Sequence, residues 1–126
     1  RDDLPFSTAA PSQPPTLRAG GTATGSARET ARVHERLTRV QEHLKRVRAS
    51  ERVLDEQVSH LDERAAEAET RRLVARTPLA DREWREARTD LDRHAALLEE
   101  ARRKEEGLLV ERDRLLERLL ELEGPS

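Results

Sequence analysis

The sequence contains no cysteine, no methionine and no tyrosine, and Phe6 and Trp84 are its only aromatic side chains. Without cysteine there are no disulfides and no thiolate metal sites, and the chain is indifferent to the redox poise around it. Two aromatic residues in a chain of 126 leave too little bulk for a thick globular core. No stretch approaches the roughly 18 consecutive apolar residues that a membrane helix needs. The N-terminus lacks the apolar core of a signal peptide. These absences predict a cytoplasmic protein with no membrane partner. The chain opens on Arg1 rather than Met, which leaves room for an upstream region.

What the sequence has instead is charge, in 40% of its residues, with a formal net charge of −2. All but Lys45 and Lys104 of its 24 basic residues are arginine, which reads as coding bias rather than a demand for guanidinium chemistry. Charged residues at this density with sparse apolar ones suit an elongated all-α protein.

The apolar residues recur every three and four positions. With Leu37 as a heptad a position, the a and d positions from Thr30 to Ala75 are apolar at 11 of 14 sites; the exceptions are Thr30, Glu51 and Arg72. A strict 3.5-residue repeat over six heptads implies a partner helix, because the stripe on an isolated 3.6-residue helix would drift. After Arg76-Thr77-Pro78 the pattern resumes from Ala80 to Leu122, apolar at 10 of 13 positions. Ser26-Ala27-Arg28-Glu29 has the form of a capping box. Thr77 followed by Pro78 suits an N-cap and first helical residue. Gly124-Pro125 supplies a stop.

The expected organisation is therefore a disordered tail over 1–25, a helical hairpin over 26–123 and a C-terminal stop over 124–126. Within the hairpin, helix 1 covers about 27–75, the turn 74–77 and helix 2 78–123. The short turn favours antiparallel neighbours. Charge agrees: residues 28–52 carry eight basic and four acidic side chains, whereas residues 81–123 carry ten basic and fourteen acidic. Folding the chain back lays opposite signs together, a pattern that selects orientation more than it adds stability. The preferred register puts Leu61 against Leu91, Leu54 against Leu98, Leu37 against Leu115, and bulky Trp84 against small Ala68. Glu51 and Glu105 then occupy neighbouring layers, facing Ala101 and Val47.

From residue 108 the leucines of helix 2 double. The seam uses Leu108, Leu115, Leu119 and Leu122, and this leaves Leu109, Leu116 and Leu120 on an adjoining flank. Such a flank predicts a partner helix, most simply a second copy forming a four-helix bundle. The fold class expected is an antiparallel two-helix coiled-coil hairpin, dimerising, with a disordered tail.

Nothing in the sequence predicts catalysis, a cofactor or a small-molecule substrate. His34, His43, His60 and His94 make no i, i+3 or i, i+4 metal pair, and no glycine-rich phosphate loop is present. His94 is the one histidine on the seam, where it is expected to pack at the edge with one ring nitrogen reaching water. The carboxylates read as solvated helix faces with pairs such as Glu42 and Arg46.

Arg28, Arg32, Arg36, Arg39, Lys45, Arg46, Arg48 and Arg52 form the one stretch suited to phosphates. A nucleic-acid-associated accessory factor is accordingly the alternative to a protein-interaction or scaffold module. Salt separates the two, since phosphate binding falls steeply with ionic strength and leucine contacts do not.

Two short segments have counterparts elsewhere. Asp2-Asp3-Leu4-Pro5-Phe6 resembles the acidic tip of bacterial single-stranded-DNA-binding proteins, which implies docking into basic, apolar pockets of partners. In that family the Phe ends the chain and its carboxylate takes part, whereas here Ser7 follows. Asp81 and Glu83, just past the turn, are similar to the acidic tips of coiled-coil hairpins that enter RNA polymerase, although Arg72, Arg76 and Arg82 lie beside them. No family resemblance extends over the full chain.

Overall fold

The computed structural model describes residues 21–124, and these form two helices: α1, Gly21–Ala75, and α2, Pro78–Glu123. The proline-containing tail up to residue 20 and its Asp2–Phe6 motif lie outside the described residues, as do Pro125 and Ser126. No strand occurs among the described residues. The contacts divide into two compact units, each containing a piece of both helices. One unit holds helix segments 40–75 and 78–112 with the turn between them; the other holds segments 21–39 and 113–123.

Burial follows the heptad arithmetic. In α1 the buried or half-buried residues from Thr30 to Arg72 all fall on a and d positions, and in α2 every seam position from Ala80 to Leu122 is at least half-buried. Ala68 and Leu44 are the most enclosed of these, at 2% and 3% exposure, and Val40, Ala65 and Leu98 follow at 5%. Ala75 is the seam residue that escapes, because α1 ends there.

The cross-helix polar contacts agree with the preferred register. In the 40–112 unit, Asp55 and Arg102, each one residue past a seam position, lie 3.9 Å apart, as a register pairing Leu54 with Leu98 requires. In the other unit, the equivalent positions are His34 and Glu123, 3.3 Å apart. Arg118 adds a two-nitrogen contact, its Nε and Nη2 donating to Glu29 Oε2 at 3.1 and 2.5 Å. Glu29 and Glu121 together raise the Arg118 pKa above its ordinary value, Glu29 contributing more.

The turn is built from local rules. Arg76 has φ 53°, a left-handed backbone, and its N–H donates to the Arg72 carbonyl at 3.1 Å, closing α1 in the manner usually assigned to glycine. Thr77 then caps α2: its Oγ1 accepts from the Ala80 N–H at 3.1 Å and its carbonyl accepts from the Asp81 N–H at 3.1 Å. Pro78 occupies the first helical position, where no donor is missed. Asp81 lies in the first turn of α2, the end that favours negative charge.

At its other end α1 departs from expectation. It starts at Gly21 rather than near Ala27, so Ser26 sits inside the helix and residues 21–25 belong to α1 instead of the tail. The physical reason is cooperativity: once a long helix is nucleated, each added residue costs little against the hydrogen bond it gains. At the C-terminus the Gly124 N–H still makes an α-helical bond to the Leu120 carbonyl at 2.8 Å, and Gly124 has no positive φ. The stop therefore owes more to Pro125, which has no N–H and disfavours helix in the residue before it.

Candidate interaction surface

Of the extra leucines of α2, Leu109 belongs to the 40–112 unit, and Leu116 and Leu120 to the other. Leu109 is half-buried, while Leu116 and Leu120 remain 40% and 70% exposed. They lie just beside seam residues at helical spacing, which is why α1 does not reach them. Val110 is exposed as well.

The basic residues take a different position. Arg28, Arg32, Arg36, Arg39, Lys45, Arg46, Arg48 and Arg52 are all exposed. The first four belong to one unit and the last four to the other. Arg48 is engaged within the fold, its Nε donating to Glu105 Oε2 at 2.8 Å.

That contact resolves the two seam glutamates into unlike partners. Arg48 holds the Glu105 carboxyl below its ordinary pKa, with the Glu51 hydrogen bond acting in the same direction. Glu51 goes the other way: burial raises its pKa first, its hydrogen bond and charge contact with Glu105 add to that, and Arg102 and Arg48 offset only part. Its Oε2 is buried with no hydrogen-bond partner. Burial and the neighbouring Glu105 carboxylate thus favour the proton on Glu51, whereas Arg48 favours the charged form of Glu105.

Arg72, the other charged seam residue of α1, places its guanidinium carbon 4.1 Å from the centroid of the Trp84 ring. The ring face accepts the cation, so a position that breaks the apolar pattern is still attractive. His94 is half-buried at the seam edge, and its Nδ1 lies 2.9 Å from the Asp90 carbonyl, which selects the tautomer protonated at Nδ1.

Among the described residues there is no group of three or more His, Asp or Glu side chains arranged to hold a metal ion, and no helix is long and apolar enough to cross a membrane. Glu83 is exposed, and Asp81, half-buried, serves the α2 N-terminus.

The sequence reading missed the apolar residues at the turn. Leu73, Val74 and Leu79 are 59%, 79% and 54% exposed, all off the seam and all flanking the Thr-Pro break. Their signal was present as apolar residues at positions where the heptad asks for polar ones. Comparisons with known protein families, with curated proteins and with solved structures each find no match to this chain.

Proposed function

We propose that this chain is a non-enzymatic protein-interaction module: an antiparallel coiled-coil hairpin that dimerises through Leu109, Leu116 and Leu120 into a four-helix bundle. The observation that carries this reading is the exposure of Leu116 and Leu120 after the hairpin has buried its own seam. Leucines left over at helical spacing beside a completed seam favour another helix over water. Fully burying each would contribute about 1.5 to 3 kcal/mol, and a two-fold dimer buries every one twice. The strict heptad spacing supports the supercoiled form of the hairpin.

The test is the triple substitution Leu109→Gln, Leu116→Gln and Leu120→Gln in the full chain. Multi-angle light scattering should report a loss of dimer mass, with helicity retained in far-UV circular dichroism. A mass unchanged from the parent would remove this surface from the function.

A further inference from the structure

The turn end of the 40–112 unit carries apolar surface that its own helices leave open. Val74 and Leu79, with Ala75 and Ala80, wall an open groove of about 420 Å³, and Arg71 on α1 and Glu83 on α2 also line it. The same Arg71 and Glu83 border a second, polar groove of about 280 Å³. There α1 adds Arg64 and Glu67, and α2 adds Glu86 and Asp90.

This face thus has two walls of opposite character. The charged residues lining it from α1 are two arginines and one glutamate; those from α2 are all carboxylates. Such a face is complementary to itself under one operation. A two-fold axis lying in the contact plane and parallel to the helices sets α1 of one copy over α2 of the other, at the same height along the helix. A two-fold axis across the helices would instead set like walls together. Isologous contacts of the first kind satisfy both walls at once.

We propose that the turn end is a self-recognition surface: a second copy of this chain, related by a two-fold axis along the helices, covers the groove walled by Val74 and Leu79 and sets Arg71 of each copy against Glu83 of the other. The contact is small and polar-rimmed, which suits a reversible association that joins copies independently of the leucine flank. Because the two surfaces are separate, a chain using both can build assemblies larger than a dimer.

The experiment uses the full chain carrying Leu109→Gln, Leu116→Gln and Leu120→Gln, so that the leucine flank contributes nothing whether or not it operates. In this background, sedimentation equilibrium should show concentration-dependent dimerisation, and Val74→Ser with Leu79→Ser should abolish it. Arg71→Glu alone and Glu83→Arg alone should each weaken it by about tenfold, since each homodimer then holds two like-charge contacts. An equimolar mixture of the two single variants should restore dimerisation, because the heterodimer recovers both opposite-charge pairs. Pairing within one chain cannot produce that rescue. Both side chains are exposed, so the helices should persist in each variant, and circular dichroism checks that they do. A background chain that stays monomeric at all concentrations, or a mixture that fails to restore association, overturns the proposal.

Discussion

Replacing Glu51 tests the seam where two carboxyl groups meet. Glu51→Leu exchanges a half-buried carboxyl, one of whose oxygens is buried without a partner, for a side chain that matches the rest of the stripe. Complete burial of a leucine contributes about 1.5 to 3 kcal/mol, so a half-buried site should yield about 1 kcal/mol. For a domain of this size, about 1 kcal/mol corresponds to a rise in Tm of about 4 to 8 °C.

The pH dependence provides an independent check. The folded-state pKa of Glu51 is raised, so the folded protein binds this proton more tightly than the unfolded chain does. The penalty from Glu51 is therefore fully present above that raised pKa and is relieved as pH falls through it towards the ordinary carboxylate range. Glu105 has the opposite sign: its stabilising contribution is present above the unfolded-state value and is lost as pH falls through its lowered folded-state value. The two effects occupy different windows, with Glu51 titrating first. Glu51→Gln keeps the shape and mimics the protonated form, so it should also be stabilising at neutral pH and should also lack the gain on mild acidification. Thermal melts of the parent and both variants at pH 7 and pH 5, followed at 222 nm, provide the comparison; the carboxylates away from this pair cancel between chains, and Glu105, which loses its Glu51 contact in Glu51→Leu, titrates in the lower window. If Glu51→Leu and Glu51→Gln both melt below the parent at pH 7, then Glu51 is a charged structural partner of Arg48 or Arg102 and the reasoning fails.

At the turn, Arg76→Gly should raise stability by about 1 kcal/mol by relieving the left-handed backbone of a residue with a Cβ, measured by urea unfolding. Thr77→Ala should lower it by about 1 kcal/mol through loss of the Ala80 N–H cap, and equal effects from the two variants would contradict the assigned turn. Cysteines placed at Leu54 and Leu98 should form an intrachain disulfide in dilute oxidising solution; products linked only between chains would refute the register.

The periodicity of the sequence determined which residues face inward. Val33, Val40, Leu44, Leu91 and Leu98 are legible as core because helical geometry alone puts them on one stripe, and the stripe needs a partner whatever that partner is. Thr77 and Pro78 were legible for a similar reason: capping is decided within four residues. The start of α1 was not, since extending a nucleated helix depends on small free energies that a capping motif does not override. Nor was the division of labour between Glu51 and Glu105, which as sequence positions are equivalent seam glutamates. Only the tertiary structure brings Arg48 to one of them and buries an oxygen of the other, and only it seats Arg72 on the Trp84 ring. It alone leaves Val74 and Leu79 open beside walls of opposite charge. Repeating backbone geometry is encoded locally and survives in the sequence. The partner a charged side chain chooses depends on which residues the opposite helix places within its reach, and that is settled when the chain folds back.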